Sequence, residues 1–524
     1  MARRAAAALL PLLLAAGAEA GEDGYYWPKR SRDVRLTGTS PHVGPGNLEA
    51  GPTWSWPNDG DELTRHGPLI DDKKSIYLVT SQGWVRKFSP DGELLWTWRT
   101  DAREGRIVAC GALYNGSVYV ASTGFESPGF LFALSMQTGE VRLRTQLPAA
   151  MGQPSPDSHT LVVQDGVVFL PSRDTHIFPP YIGNNKVVAL SASDGSLLWQ
   201  RTIAEESEFT VVWNFMPALP GDGTMLLATP TARAYRLNAS TGETIWKAPF
   251  PEPHGWRGCG GGALSPDGRR FFALGAYHGH SLLGTQAPLR TLPPCGDWGC
   301  VFGDGVLIAY DVEDGAILWS RRFFPGTSGQ QYPAVGGIDG PGSRTAVFVG
   351  VGRNTLDPKA EMGPRWLPRF GKRAIARLQM RIPYLRRLLE VPVLENHLLA
   401  LDAETGAEIW HWQEEPWDRR ACAGDEERFV ERVQRFRLDP TRAETTCMPD
   451  SWAIPTVGGD GTVYAGSGHS GKLYAIRDAD RDGRIGEDEV STFDAHSGFL
   501  NGPSLAPGLL VASPCWGPMH VFKS

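Results

Sequence analysis

One short pattern recurs along this chain: an apolar run, a turn that ends in glycine, and a large apolar residue four places after that glycine. The six copies, spaced by roughly 40 to 90 residues, are Gly92/Trp96, Gly139/Leu143, Gly195/Trp199, Gly242/Trp246, Gly315/Trp319 and Gly406/Trp410. A fixed offset repeated at such intervals indicates a repeat architecture, in which each unit buries its apolar face against the next. The repeat constrains the fold and carries no chemistry by itself.

Each copy predicts a β-hairpin. Residues 186–190 and 197–199 flank the turn at Gly195, and glycine supplies the positive φ that such turns need. A further strand pair precedes most copies, for example at residues 75–80 and 117–122. Four strands per unit correspond to one blade of a propeller. Each tryptophan is expected to wedge between adjacent blades, with its indole N–H donating to a partner at the rim.

The best copies read Ala-Leu-Asp-Ala-x-Thr-Gly-x-x-x-Trp, as at residues 400–410. This motif resembles the tryptophan-docking repeat of the quinoprotein alcohol dehydrogenase-like β-propellers, whose repeat units are called PQQ-like after pyrroloquinoline quinone. The resemblance covers most of residues 75–524. It implies a propeller fold, and it leaves the activity open, because the superfamily includes dehydrogenases and also scaffolds without the cofactor.

The blade count follows from the two chain ends. A seventh unit is visible at residues 473–476, and the pair of strands at 508–513 and 519–522 lacks its last strand. Residues 52–56 look like an outer strand without partners, so joining the two ends completes an eighth blade and leaves no open edge. We therefore expect an all-β, eight-bladed β-propeller closed by the N-terminal strand, with seven blades as the alternative. The propeller domain is assigned to residues 50–524 and an N-terminal extension to 21–49.

Residues 1–20 have the features of a signal peptide: Arg3 and Arg4, a short apolar core, and the small-residue site Ala18-Glu19-Ala20. The mature protein is therefore expected to be secreted or to lie in the lumen of the secretory pathway, where Asn115 and Asn238 are glycosylation sequons. The net charge of −7 argues against nucleic acid as a partner.

Seven cysteines leave the disulfide connectivity open. Cys295 and Cys300 flank a local turn, and Cys422 and Cys447 bracket a polar insertion, so both pairs are candidates for disulfides. The other three, Cys110, Cys259 and Cys515, are interpreted as buried thiols, or as one further bridge plus a single thiol. The chain has no adjacent Cys-Cys pair, a hallmark of many quinoprotein alcohol dehydrogenases, and this lowers the expectation of that activity.

Residues 478–489 match the twelve-residue calcium loop of the EF-hand. Calcium takes six to eight oxygen ligands, and the loop supplies carboxylates at its first, third, fifth and twelfth positions and a carbonyl at its seventh. The expected ligands are Asp478, Asp480, Asp482, Arg484 through its backbone carbonyl, and Glu489. Strands are expected on both sides, so the loop is interpreted as a calcium-clamped hairpin that acts as a structural staple. An acidic, solvated turn is the alternative.

Two insertions interrupt the blade pattern, at residues 357–395 and 414–450. Within the first, residues 365–389 alternate arginines with large apolar residues at helical spacing, up to an interruption at Pro383. Such a basic amphipathic segment either packs over the end of the propeller or lies on an anionic membrane surface. The second insertion is charged, and residues 426–436 are expected to form a small helix that caps the ring.

A quinone-dependent site would lie on the propeller axis, according to the resemblance. Residues 349–358 resemble the Gly-Thr-Gly-Asn strand and loop of polyvinyl-alcohol-dehydrogenase-like members. This assigns Arg353 and Asn354 as contacts of pyrroloquinoline quinone and Asp357 as the general base. The other candidates for the channel are Trp213, Asn214, Asp450, Ser451, Trp452, His469 and His496. For each of these residues, ordinary hydrogen bonding in the channel or at its rim is the alternative.

Two functions therefore compete. The first is a secreted, calcium-binding propeller that binds a protein or a small-molecule ligand without chemistry. The second is a dehydrogenase that uses pyrroloquinoline quinone to oxidise an alcohol or a sugar. A weaker third hypothesis is a membrane-surface scaffold that uses residues 365–389.

Overall fold

Eight antiparallel β-sheets of three to five strands, together with one short parallel pair, make up the architecture in a computed structural model. The structure describes residues 24–58, 64, 67–107, 109–123, 129–151, 159–172, 186–203, 216–229, 232–249, 256–257, 261–277, 305–323, 332–352, 395–417, 422–424 and 451–524. The sheets are the blades of an eight-bladed β-propeller. The prediction of an all-β propeller with eight rather than seven blades is confirmed.

Most of the first nineteen strands build blades 1 to 4, whereas the N-terminal strand β1 belongs to blade 8. In chain order they are β1 (Trp54–Trp56), β2 (Leu69–Ile70), β3 (Ile76–Val79), β4 (Trp84–Phe88), β5 (Leu94–Arg99), β6 (Arg106–Ile107), β7 (Ala109–Cys110), β8 (Ala112–Tyr114), β9 (Ser117–Thr123), β10 (Phe130–Ser135), β11 (Val141–Gln146), β12 (His159–Thr160), β13 (Val162–Gln164), β14 (Val167–Ser172), β15 (Lys186–Ser191), β16 (Leu197–Thr202), β17 (Thr224–Ala228), β18 (Ala234–Asn238) and β19 (Thr244–Lys247). Blade 1 is β2–β5, blade 2 is β6 with β8–β11, blade 3 is β13–β16 and blade 4 is β17–β19, while β7 and β12 form the parallel pair.

The second half builds blades 5 to 8. The strands are β20 (Trp256–Arg257), β21 (Ala263–Leu264), β22 (Arg270–Tyr277), β23 (Gly305–Asp311), β24 (Ile317–Phe323), β25 (Ala334–Gly337), β26 (Thr345–Gly352), β27 (Asn396–Asp402), β28 (Glu408–Gln413), β29 (Thr456–Val457), β30 (Val463–Gly466), β31 (Lys472–Ile476), β32 (Val490–Asp494), β33 (Ser504–Ala506), β34 (Leu509–Ala512) and β35 (Met519–Lys523). Blade 5 is β20–β24, blade 6 is β25–β28, blade 7 is β29–β32, and blade 8 is β33–β35 with β1. Two 3₁₀ turns, Ala149–Met151 and Glu487–Glu489, are the only helical elements among these described residues.

The ring is closed by the N-terminal strand, as predicted. Strand β1 pairs antiparallel with β35, and the register sets Trp54 opposite Val521 and Ser55 opposite His520. Next to this pair, the Thr53 N–H donates to the Val521 carbonyl at 2.7 Å. Blade 8 is therefore built from both ends of the described chain, so its outermost strand is supplied by the residues that precede blade 1.

The repeated tryptophans dock one blade onto the next. Five indoles donate their Nε1–H to a backbone carbonyl in the following blade's turn, over distances of 2.9–3.2 Å. The pairs are Trp54 with Pro90, Trp96 with Met136, Trp199 with Ala239, Trp246 with Val312, and Trp319 with Ala403. In blade 2, where Leu143 replaces the tryptophan, Thr145 packs against Gly195 of the next turn instead. The expected wedge between blades, with its bonded indole, is confirmed.

The connections fall on two faces, because the strands of each blade alternate in direction. Short turns join the first strand to the second and the third to the fourth, and we call that side the turn face. The second-to-third and blade-to-blade connections lie on the opposite side, the loop face. The insertion residues 353–394, 418–421 and 425–450 belong to connections of that second kind and lie outside the described residues, as does the predicted signal peptide. Among the residues that are described, no helix is long and apolar enough to span a membrane.

Residues 24–49, which we call the axial segment, pass once around the inner strands. Its carbonyls accept backbone N–H bonds from seven blades, visited in ring order. The donor and acceptor pairs are Ile70 to Trp27, Leu113 to Pro28, Leu219 to Val34, Leu264 to Arg35, Val335 to Thr37, Val457 to Gly38 and Gly508 to Val43, at 2.7–3.0 Å. The inner strands thus gain acceptors for N–H groups that face the axis.

The axial segment lies toward the turn face. The Tyr25 hydroxyl accepts the N–H of Gly116, and the His42 carbonyl accepts the N–H of Gly459 at 2.8 Å. Both glycines belong to turns between the first and second strands of a blade. The segment therefore covers this end of the axis.

Candidate functional site

The calcium-loop motif occupies the turn between the third and fourth strands of blade 7. A single residue, Arg477, separates β31 from the start of the motif at Asp478, and the motif ends at Glu489, immediately before β32. Its backbone follows the expected geometry: the Gly483 N–H donates to Asp478 Oδ2 at 3.1 Å, and Gly483 has a φ of 80°. The predicted hairpin context, with a strand on each side and no flanking helix pair, is what the structure shows.

Carboxylate oxygens converge inside this loop. One oxygen from each of Asp478, Asp480 and Glu489 lies within 4.8 Å of the others. Asp478 Oδ1 is buried and has no hydrogen-bond donor among the described residues. A buried carboxylate oxygen without a donor is costly unless a cation meets it, so the donor set fits a divalent cation.

Hydrogen bonds of the loop itself hold two of the predicted carboxylate ligands. Asp482 is not part of the converging group; its Oδ1 accepts the N–H of Arg484 at 2.7 Å. Glu489 is held by backbone donors on both sides, with Oε1 accepting from Ala479 at 2.5 Å and Oε2 from Gly486 at 2.9 Å. The loop is therefore ordered by its own hydrogen bonds before any ion is considered.

The pKa values of the two carboxyl groups at the ends of the loop are shifted in opposite directions. Desolvation, joined by the negative charges of Glu489 and Asp480, raises the pKa of Asp478. For Glu489, desolvation also acts upward, but hydrogen bonds from backbone N–H groups outweigh it and lower the pKa. Repulsion among the converging carboxylates is the electrostatic condition that a bound cation relieves.

The loop stands where other blades present the turn that receives a tryptophan. The tryptophan of the preceding blade, blade 6, is Trp410. It is buried in a hydrophobic cluster, and Ile485 of the loop packs against that cluster. A Cβ at Gly483 would lie 3.0 Å from the Ile409 carbonyl oxygen. Arg481 extends to Asp339 of blade 6 at 3.3 Å. The motif therefore forms part of the joint between blades 6 and 7.

A buried polar cluster that the sequence did not indicate lies at the loop-face side of the same joint. Glu414, just after β28, accepts hydrogen bonds from Ser467 at 2.9 Å, Tyr474 at 2.9 Å and Asn396 at 3.0 Å, and another from Ser470. Desolvation raises the pKa of the Glu414 carboxyl, although these hydrogen bonds oppose it. Four donors around one carboxylate link strands from both blades, and no local pattern marks them because they come from distant parts of the chain.

The two histidines predicted to face the channel lie in different environments. His469 is buried in this cluster, where its Nδ1 lies 2.6 Å from Asn396 Nδ2 and its ring stacks on Trp417. His496 is 86% exposed and lies 3.2 Å from Asp494. Trp452 is fully buried among Trp412 and Tyr474. Ser451 is buried beside Gly352.

The predicted quinone contacts Arg353 and Asn354 and the predicted base Asp357 lie outside the described residues, together with Trp213, Asn214 and Asp450. The described chain stops at Gly352, the last residue of β26. A Cβ at Gly352 would lie 2.4 Å from Asn396 Oδ1, a buried oxygen without a hydrogen-bond partner in the described part. Strand β26 therefore ends at a polar, buried position.

The cysteine and glycosylation predictions remain predictions. Cys110, Cys422 and Cys515 are buried, and the other four cysteines lie outside the described ranges. Asn115 and Asn238 both lie at turns on the turn face, where Asn115 is exposed and Asn238 has intermediate exposure.

Comparison with known proteins places the chain among propellers of two kinds. A family model described as outer membrane protein assembly factor BamB matches residues 81–266 and again residues 183–339. The structure of BamB from Moraxella catarrhalis is similar with a TM-score of 0.52 at 12% identity, over 90% of this chain and 99% of that chain. No curated protein matches the sequence.

The second kind are dehydrogenases. The quinohemoprotein alcohol dehydrogenase from Comamonas testosteroni has a TM-score of 0.56 at 13% identity, over 95% of this chain and 80% of that chain. A europium-containing methanol dehydrogenase has a TM-score of 0.56 at 10% identity, over 96% of this chain and 99% of that chain. At these identities the likeness concerns the fold, and function must be argued from the residues of this chain.

Proposed function

We propose that this chain, which belongs to the quinoprotein alcohol dehydrogenase-like β-propellers with PQQ-like repeats, is a calcium-stapled scaffold that binds a partner outside the cytoplasm. The fold is common to dehydrogenases and to an assembly factor. The choice between these two roles depends on which residues of this chain lie in the loop of blade 7 and at the propeller axis. The extracytoplasmic location rests on the signal-peptide pattern of residues 1–20.

The observation that carries the proposal is the convergence of Asp478, Asp480 and Glu489 within 4.8 Å, with Asp478 Oδ1 buried and without a donor. Calcium is the cation that this spacing of carboxylates favours, because the loop can supply several hard oxygen ligands around one point. The ion would be held at the joint of blades 6 and 7, where Ile485 packs against the cluster that contains Trp410. A cation at this position stabilises architecture; it stands at the turn between the two outer strands of a blade rather than at the axis.

The axial segment supports a binding role over a redox role. Its backbone carbonyls accept N–H groups from seven blades, so part of the space around the axis is taken by the protein's own chain. Because the axial segment covers the turn-face end of the axis, the loop face is left as the surface for a partner. We assign partner binding to that loop face.

A quinone-dependent dehydrogenase is the second candidate, and one observation favours it. Asn396 Oδ1 is buried without a partner directly beside Gly352, the residue that precedes Arg353, Asn354 and Asp357. Pyrroloquinoline quinone bound there would supply the two-electron oxidation of an alcohol or sugar hydroxyl to a carbonyl. Asp357 would take the hydroxyl proton, while Arg353 and Asn354 would hold the cofactor.

The calcium proposal is tested by thermal unfolding of the mature protein with calcium and with chelator. We expect calcium at about 100 times its Kd to add about 2.7 kcal/mol, seen as a melting temperature higher by a few degrees. D480A should lose this increment. D314A serves as the matched control, because Asp314 is an exposed acid in the equivalent turn of blade 5, and it should keep the full increment.

The calcium staple is contradicted if calcium does not change the melting temperature of the wild-type protein. It is also contradicted if D480A keeps the same rise in melting temperature with calcium. The scaffold role is tested separately, by adding pyrroloquinoline quinone and calcium and following quinone absorbance and dye reduction with a panel of alcohols and sugars. We expect neither bound quinone nor turnover. Saturable quinone binding with turnover that D357N abolishes would replace the scaffold by the dehydrogenase.

A further inference from the structure

We infer that His397 and His411, on the outer hairpin of blade 6 formed by β27 and β28, are a binding site for a borderline divalent metal ion such as zinc. This goes beyond the proposed scaffold role. It is also independent of the calcium loop, because the ligands are imidazole nitrogens rather than hard oxygens. The inference rests on the strand register, on the distance between the two rings, and on a carboxylate beside each ring.

The register of the two strands brings both histidines onto one side of blade 6. His397 stands opposite Gln413, and His411 stands opposite Leu399. Residues 397 and 399 are two apart in β27 and point to the same side of the sheet, so both imidazoles lie on that side. Leu399 packs in the hydrophobic cluster shared by blades 5 and 6, so this side of the sheet faces blade 5. The placement of the pair thus follows from regular strand pairing.

The two rings are as far apart as rings that hold a common ion. Their centres are 5.5 Å apart, and the ring planes make an angle of 47°. Zinc binds an imidazole nitrogen at about 2.0–2.1 Å, so two rings that share one tetrahedral ion have centres on the order of 5 Å apart. The observed separation therefore matches that of two imidazole ligands of a single ion.

A carboxylate lies beside one nitrogen of each ring. Glu395 Oε2 lies 3.9 Å from Nε2 of His397, and Glu408 Oε1 lies 3.7 Å from Nδ1 of His411. Histidines that bind a metal usually turn their second ring nitrogen toward a carboxylate or a carbonyl, which orients the ring and raises its basicity. The other nitrogen of each ring, Nδ1 of His397 and Nε2 of His411, is then the ligand.

The charge around the pair favours a cation. Glu395 and Glu408 supply two negative charges at the rings. Among the described residues, one cation forms an ion pair with these carboxylates: Arg321 of blade 5, at 2.6 Å from Oε2 of Glu408. Two negative charges against one positive charge leave an excess of one negative charge beside neutral imidazoles. A divalent cation has the sign that this surface favours.

The pair is accessible from solvent. The side chain of His411 is 47% exposed and that of Glu395 is 55% exposed, so an ion can reach the rings and keep water as its further ligands. Desolvation, together with the neighbouring ring of His411, lowers the pKa of His397, although Glu395 opposes the change. His397 is therefore largely neutral at pH 7, the form in which imidazole binds a metal.

The test is isothermal titration of the mature protein with zinc chloride at neutral pH, with excess calcium present to occupy hard-oxygen sites. We expect a saturable zinc site that calcium does not displace and that D480A, a variant of the calcium loop, retains. H397Q and H411Q should each weaken this site by about tenfold or more, because loss of even a supporting carboxylate costs that much. H411Q keeps the test decisive if H397Q fails to fold, since nearly half of the His411 side chain is exposed.

H496Q is the matched control. His496 is a largely exposed histidine of blade 7 that lies 3.2 Å from the Asp494 carboxylate, and its variant should bind zinc as the wild type does. Absence of saturable zinc binding in the presence of calcium overturns the inference. Wild-type zinc affinity in both H397Q and H411Q overturns it as well, as does a loss in H496Q equal to theirs.

Discussion

Gly242 shows what a single position in the repeat must satisfy. Its φ is 72°, in the left-handed region that favours glycine, and a Cβ there would lie 2.5 Å from Cε3 of Trp199. The residue is therefore constrained twice, by backbone conformation and by the indole that docks on it. The same double constraint recurs at Gly139, Gly315 and Gly406, each against the tryptophan of the preceding blade.

We predict that Gly242→Ala destabilises the protein by about 2–3 kcal/mol, because it adds a clash with Trp199 to the roughly 1 kcal/mol cost of a positive φ. Gly166→Ala is the matched control. Gly166 has a φ of 76° and open space where the methyl group would go, so it should lose only the backbone part. Denaturant unfolding measures both; equal losses would show that the indole contact adds nothing.

Residue by residue, the candidate site was predictable where its ligands are close in sequence. Asp478, Asp480 and Glu489 come together as the twelve-residue pattern predicts, whereas Asp482 turns to the Arg484 N–H. Glu414 and Asn396 could not be found in this way, because their partners come from other strands of blades 6 and 7. A buried carboxylate that is satisfied by tertiary contacts leaves no spacing for a motif to detect.

At the scale of elements, the joint between blades 6 and 7 contains a buried polar cluster. Strand β28 is followed directly by Glu414, whose side chain accepts hydrogen bonds from β27, from the turn after β30 and from β31. The candidate calcium loop, residues 478–489, lies at the other end of the same joint. One joint therefore combines a buried hydrogen-bond cluster with a candidate ion site, whereas five other joints dock an indole on the turn of the next blade.

Glu414→Ala should lower the free energy of unfolding by about 3–5 kcal/mol, because it leaves several buried donors without their acceptor. The neighbouring Glu415 supplies a matched control: its side chain is 89% exposed and lies 3.6 Å from Lys472. Glu415→Ala should change stability by less than about 0.5 kcal/mol. Urea unfolding of the two variants gives the comparison, and a small loss in Glu414→Ala would mean that the cluster is not a stabilising link.

Elements were predictable where side chains alternate. The hairpins around Gly195 and Gly406 lie where their apolar runs placed them, at β15–β16 and β27–β28. The axial segment was predicted only as an extension, since its bonds to the blades are made by backbone carbonyls and use no periodic side chains. Backbone pairing of an irregular segment has no signature in hydrophobic periodicity.

Over the whole molecule, ring integrity depends on a short contact. Only three residue pairs join β1 to β35. Within them, the Ser55 hydroxyl lies 2.9 Å from Nδ1 of His520, whose ring packs edge-on against Phe493 of blade 7. His520 is 7% exposed, and its Nε2 has no hydrogen-bond partner in the described structure. A proton on this ring would be buried without an acceptor.

Burial lowers the pKa of His520 to about 4. In the unfolded chain a histidine titrates near pH 6.5, so the unfolded state takes up the proton first as the pH falls. The stabilising contribution is complete above about pH 6.5 and is lost progressively as the pH falls toward 4. Its size is about 3 kcal/mol, from 1.36 kcal/mol for each pKa unit.

We therefore predict that His520→Gln reduces the loss of unfolding free energy between pH 7 and pH 4 by up to about 3 kcal/mol, measured by urea denaturation at the two values. His496→Gln is the control, because that histidine is largely exposed, and it should leave the acid loss at the wild-type size. If His520→Gln loses as much unfolding free energy between pH 7 and pH 4 as the wild type does, His520 does not cause the acid destabilisation.

The closing strand and the axial segment also set the order of events during biosynthesis. Residues 24–56 leave the ribosome early, yet Val43 and Trp54 find their partners in residues 508 and 521. At about 5–20 residues per second, these early residues wait on the order of a minute for the last blade to be made. Nascent chains therefore spend that interval with an unpaired β-edge, which makes them natural clients for chaperones. A chain cut short before residue 519 would never bury it, so quality control could recognise such products by their N-terminal end.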